Sequence, residues 1–251
     1  MTKRLLLTGV FVLLGLVQAQ EIRVAVAANL RDTFEQLVQV YNRSNPGIKV
    51  TPAYGASGAF TQQIASGAPF DIFMSADLAF PQDLMRRGLV EEGTLRTYAV
   101  GKLILFLPSR VGVQATSLRI LTDPRITRLI IANPETAPYG RAAVQAMTRA
   151  GVYEGVRPKI AFGQNIAQAA QLTLAAGDAG FINLSAIYGP DLRQQGTWYI
   201  VPQNLYDPIE QGMVIVKGRA RPEVRAFFAF LTSAEANRVY RAWGYDLPRA
   251  P

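Results

Sequence analysis

Four short stretches of this chain combine small residues, side-chain hydroxyl or amide groups and a helix start: Ala28-Asn29, Ala56-Ser57-Gly58, Pro138-Tyr139-Gly140 and Asn165-Ile166. Each offers backbone N–H groups, which at a helix N-terminus are unsatisfied donors carrying about half a positive charge. None of the four carries a carboxylate. A set of neutral donors suits an anion that has no proton to give, because an acceptor placed there would repel it. Arg31 and Arg141 follow two of the stretches, and their helical positions are expected to turn them to solvent. Taken singly, each stretch has an ordinary reading: Asn29 and Ser57 suit helix N-caps, Tyr139 suits a packing aromatic, and Gly55-Ala-Ser-Gly58 lacks the Gly-Lys-Ser/Thr of a phosphate loop. Repetition over two parts of the chain is what favours a ligand site.

The elements that must position these stretches alternate. Ile22 to Val26, Lys49 to Tyr54 and Asp71 to Ser75 read as strands, and Pro52 puts the second near a sheet edge. Leu30 to Tyr41, Phe60 to Ser66 and Ala79 to Arg87 read as the helices between and after them, with Asn29 at the first N-cap and Asp32 three residues on. Lys102 to Leu107 is an apolar strand leading into a second domain. There the grammar repeats: strand Arg128 to Ala132, helix Tyr139 to Ala150 behind Pro138, strand Lys159 to Ala161, helix Ile166 to Ala176 and strand Ala179 to Asn183. Tyr199 to Val201 and Gly212 to Lys217 lead back, and helices Pro222 to Leu231 and Ser233 to Trp243 close the chain. Alternating strands and helices predict two doubly wound α/β domains, domain I over 20–100 plus 211–251 and domain II over 101–210. In such sheets ligands bind at the carboxyl ends of the strands, so two domains facing each other would aim all four stretches at one point.

Composition narrows the chemistry. The 251 residues are 49 % apolar and 18 % charged, with neither cysteine nor histidine, so disulfides, Cys or His metal sites and nucleophile–His triads are excluded. A base would have to be Asp, Glu or Lys, and none stands in the four stretches, which argues against an enzyme acting on an anion. Lys3 and Arg4, the apolar run Leu5 to Val17 and small residues at Val17 and Ala19 predict a cleavable signal peptide over 1–19, too short to span a bilayer. Without it, 24 basic residues face 18 acidic ones, a net charge of about +6, scattered rather than clustered; no nucleic-acid surface is expected.

The residues also carry a family resemblance. Ile22-Arg-Val-Ala-Val-Ala-Ala-Asn-Leu30, Tyr54-Gly-Ala-Ser-Gly58, Gln63 to Asp77, Asn133-Pro-Glu-Thr-Ala-Pro-Tyr-Gly140 and the tail Phe230 to Tyr245 resemble the periplasmic molybdate-binding proteins of molybdate ABC transporters. The segment Gly67-Ala-Pro-Phe-Asp-Ile-Phe-Met-Ser-Ala-Asp77 is the most specific part. The resemblance implies a type II periplasmic-binding fold with a two-strand hinge. It also implies a non-catalytic, cofactor-free, monomeric receptor that captures molybdate or tungstate and hands it to a membrane permease. Carried over by position, it implies that Asn29 gives its amide and side chain, Ser57 its hydroxyl and amide, and Tyr139 and Ile166 their backbone amides. Ala28, Asn165 and Asn183 are secondary candidates. Two positions depart from the common pattern: Asn29 where many members have Ser, and Asn183 where many have Tyr. A receptor for sulfate or a small organic anion is the alternative within the binding class.

Overall fold

The computed structural model describes residues 20–248 apart from Asp191, so the leader expected over 1–19 lies outside the described residues. The strands are β1 (Gln20–Ala27), β2 (Ile48–Gly55), β3 (Ile72–Met74), β4 (Arg96–Gly101), β5 (Leu103–Pro108), β6 (Leu129–Ala132), β7 (Ile160–Gly163), β8 (Ala179–Asn183), β9 (Gly196–Ile200) and β10 (Ile209–Ile215). The helices are α1 (Arg31–Ser44), α2 (Ser57–Ala65), α3 (Ala79–Arg86), α4 (Pro138–Arg149), α5 (Tyr153–Val156), α6 (Ile166–Ala176), α7 (Pro222–Phe230) and α8 (Ala234–Ala242).

The strands form two five-stranded sheets, in the orders β2-β1-β3-β10-β4 and β7-β6-β8-β5-β9. The chain therefore passes between sheets twice, from β4 to β5 and from β9 to β10. β1 runs parallel to β2 and β3, and β6 runs parallel to β7 and β8. β10 is antiparallel to β3 and β4, and β5 is antiparallel to β8 and β9. Both sheets are thus mixed, not wholly parallel, because β10 and β5 each enter from the other sheet and run against its direction. Pro52 lies on β2 at a sheet edge, where its missing N–H costs no ladder bond.

Burial follows the alternation of types. All six residues of β5 are buried, as a strand covered on both faces requires, and each such aliphatic side chain contributes roughly 1.5–3 kcal/mol. Ile22, Val24 and Val26 meet Phe34 and Leu37 of α1 on one face of the first sheet, while Ala25 packs with Phe60 and Ile64 of α2 on the other. These contacts seat α1 and α2 at the carboxyl ends of β1 and β2, and α4 and α6 follow β6 and β7 in the same way.

The cores hold several buried phenols. Burial pushes the hydroxyls of Tyr98, Tyr139 and Tyr240 well up, and that of Tyr245 up to about 12. In an unfolded chain they would ionise near pH 10. A phenol whose folded value is raised stabilises the fold fully below the unfolded value, and that contribution is lost as pH rises from there through the folded value. The urea midpoint is therefore expected to fall steadily between about pH 10 and pH 12. Phenolate absorbance of the native protein should lag that of the denatured chain, and superposed titration curves would refute the assignment.

Candidate oxyanion-binding site

The four stretches converge. A small cavity between the sheets is lined by Ala28, Asn29, Ser57, Tyr139, Asn165 and Ile166, with the small residues Ala27, Gly55, Ala56, Ala76, Ala137 and Pro138 completing its wall. Asn183 lies apart from it, lining an adjoining cavity that shares only Ala28 and Asn29 with the first.

Three of the helix starts supply backbone donors. Ser57 and Ile166 are the first residues of α2 and α6, and Tyr139 is the second of α4 behind Pro138. At those positions an N–H has no acceptor within its own helix. Ser57 is not a capping residue, since Ala56 holds that position and no side chain caps the helix. Its Oγ instead accepts from the Ala76 N–H at 3.0 Å, which leaves the hydroxyl hydrogen to donate elsewhere. α2 starts three residues before the expected Phe60 because Ser57-Gly58-Ala59 is helical without any apolar period to betray it. Asn165 does cap, its Oδ1 accepting from the Gln168 N–H at 2.9 Å. The Tyr139 ring is 1 % exposed and packs inward, so this residue can serve the cavity only through its backbone.

Asn29 differs most from expectation. A 3-10 turn over Ala28–Leu30 separates β1 from α1, so Leu30 takes the N-cap position and Asn29 caps nothing. The Asn29 side chain is spent on the interior: Nδ2 donates to Gln211 Oε1 and to Tyr245 Oη, both at 3.0 Å. Its carbonyl accepts from Tyr245 Oη at 2.9 Å and from Asn183 Nδ2 and Ser185 Oγ at 3.2 Å. Asn183 therefore fixes the backbone at Asn29, with its second donation going to Ser185 Oγ at 2.6 Å.

Ionised groups stand outside the cavity wall. Arg141 is not turned to solvent: it pairs with Asp77 from the other sheet, and its guanidinium lies 5.1 Å from the centre of the Phe80 ring. Burial holds the Asp77 carboxyl above its usual range despite the Phe80 N–H and the Arg141 charge. Beside this pair the Gly58 N–H donates to the Thr136 carbonyl at 2.9 Å, again across the sheets. A Cβ on Gly58 would sit 3.0 Å from Thr136 Cα and from the Phe80 ring, so any larger residue would press both neighbours back by a few tenths of an ångström. Gly140 is required, since a Cβ there would lie 2.2 Å from the Ala132 carbonyl oxygen at the end of β6. Among the described residues no group of three or more acidic side chains could hold a metal cation.

An inter-sheet cavity walled by helix starts and neutral donors belongs to a protein that encloses a small solute, and comparison with known proteins agrees. The family profile described as bacterial extracellular solute-binding protein matches residues 22–246, and the chain belongs to that family. It is 39 % identical over 233 residues to the molybdate-binding protein ModA of Azotobacter vinelandii, covering 92 % of this chain and 91 % of that one. It is 38 % identical over 232 residues to ModA of Rhodobacter capsulatus, covering 90 % and 88 %. The solved Azotobacter vinelandii periplasmic molybdate-binding protein superposes with a TM-score of 0.84 at 31 % identity, covering 91 % of this chain and all of that one. The expected type II periplasmic-binding fold is the fold of this chain.

Sequence reasoning passed over Gln211, Tyr98 and Ser185, and used Tyr245 only as part of a tail motif. The one available signal was a glutamine inside the apolar run of β10, Ile209-Glu-Gln-Gly-Met-Val-Ile215. Gly58→Ala is expected to strain the contact with Thr136 and lower stability by about 1–2 kcal/mol in urea unfolding. An unchanged midpoint would show that the sheets can part there freely.

Proposed function

We propose that this protein is an extracytoplasmic, non-catalytic receptor that holds molybdate or tungstate in the inter-sheet cavity and delivers it to the permease of an ABC transporter. The observation that carries this reading is the convergence of the helix starts at Ser57, Tyr139 and Ile166 on one small cavity with no Asp or Glu among its lining residues. Relatives at 38–39 % identity that are molybdate-binding proteins support it. Within the reading, domain I covers 20–100 plus 211–251 and domain II covers 101–210. The two crossings between sheets act as the hinge, the signal peptide directs export to the periplasm, and the receptor works as a monomer without a cofactor.

Selectivity follows from size and protons. Sulfate and molybdate are both dianions at neutral pH and ask for the same hydrogen bonds, so cavity size must separate them. Hydrogen phosphate carries a proton that needs an acceptor, and the four stretches are built from donors.

Isothermal titration of the mature protein with molybdate, tungstate, sulfate and phosphate tests the reading. Molybdate and tungstate should bind far more tightly than the other two; sulfate binding as tight as molybdate, or no oxyanion binding at all, would sink it. Ser57→Ala removes one donor to a charged ligand, worth about 1.5–3 kcal/mol, and should weaken molybdate binding by about tenfold or more. Asn29→Ala should weaken binding and stability together, because it removes the donations to Gln211 and Tyr245 that hold this turn.

A further inference from the structure

Behind Asn29 lies a buried chain of neutral polar groups that the four stretches do not include. Gln211 of β10 is fully buried and touches both sides of the cavity wall. Its Oε1 accepts from Asn29 Nδ2 at 3.0 Å and lies 2.9 Å from the Tyr98 hydroxyl, while its Nε2 donates to Tyr139 Oη at 3.3 Å. Tyr98 Oη is also 2.8 Å from the Ser75 carbonyl, which can take its single hydrogen. Asn29 and Tyr139 stand on opposite sheets and belong to two of the four donor stretches.

In this arrangement both Asn29 amide hydrogens are used inward, and Oδ1 is buried with no partner among the described residues. That is unfavourable, because a buried acceptor goes unsatisfied. One concerted change removes the fault. If the Asn29 amide turns half a revolution about χ2, Nδ2 takes the place of Oδ1. Gln211 must then turn too, presenting Nε2 to Asn29 Oδ1 and Tyr98 Oη, and Oε1 to the hydroxyl hydrogen of Tyr139. Tyr98 still donates to the Ser75 carbonyl. Tyr245 must then give its single hydrogen to Asn29 Oδ1 in place of the Asn29 carbonyl, which keeps Asn183 and Ser185 as donors.

We propose that Gln211 is a positioning residue that decides which end of the Asn29 amide an oxyanion meets. This rests on the reading of the cavity given above. Its bond to Tyr139 also ties the Asn29 donor in the first sheet to the helix start that supplies a donor from the second.

The test begins with molybdate titration of the wild-type protein. Absence of binding there would overturn the cavity reading and this inference with it. Given binding, Gln211→Glu offers the Asn29 amide only acceptors and holds it turned inward, so molybdate affinity should fall by about tenfold or more. In an Asn29→Ser background, where no amide remains to turn, the same change should cost less than about threefold. Equal losses in both backgrounds, or no loss in the first, would overturn the proposal. Side-chain ¹⁵N-amide spectra of the wild-type protein decide independently of whether the glutamate variant folds. Saturating molybdate should shift the Asn29 and Gln211 signals together, and a Gln211 signal that stays in place would refute the coupling.

Discussion

Three side-chain donors from the two halves of this molecule meet at a single carbonyl. The Asn29 oxygen accepts from Tyr245 in the last turn of the chain and from Asn183 and Ser185 at the end of β8, so donors from both sheets meet on one backbone atom. The carbonyl's orientation is set by the 3-10 turn that ends β1. That turn also decides where α1 begins and which way the Asn29 amide faces. Loosening it would disturb the cavity wall, the inter-sheet contact and the start of α1 at once.

An ion enclosed without a counter-charge must be held by dipoles. Removing a dianion from water is costly, and pairing it with a buried cation would require that cation to be desolvated as well. Helix starts avoid the second cost because their amides are already part of the fold and have no other partner. Arg141, two residues beyond Tyr139 and outside the wall, is paired with Asp77 and lies over the Phe80 ring. Its charge serves the contact between sheets.

Much of this was legible in the chain, and the parts that were not have physical reasons. The helix over 166–176 and the strand over 179–183 were read with their observed bounds, because an alanine-rich helix followed by a fully buried strand leaves a strong pattern. β4 went unread. Arg96-Thr-Tyr-Ala-Val-Gly101 is half polar, and its ladder partner β10 lies more than a hundred residues away, so nothing local marks it. Asn29 was read as a cap because Asn before an amphipathic run usually is one; the extra 3-10 turn that displaces it depends on contacts from β8 and the C-terminal tail. Tyr139 and Ile166 could be singled out because helix starts have a local signature, and Ser57 because it stands in a small-residue turn ahead of a helix. Gln211 could not, since its importance comes entirely from what folding puts beside it.

The Gly58 N–H bond to Thr136 and the Asp77–Arg141 pair are made of protein alone. They weigh on the side of contact between the sheets whether or not an ion lies between them, so a solute needs to supply only the remainder of the free energy that keeps the molecule shut. A solute's apparent affinity is reduced by the fraction of molecules that are not already competent to hold it, and these two contacts raise that fraction. The same arithmetic governs release. Opening the molecule would have to break a backbone hydrogen bond and an ion pair as well as the solute's own contacts.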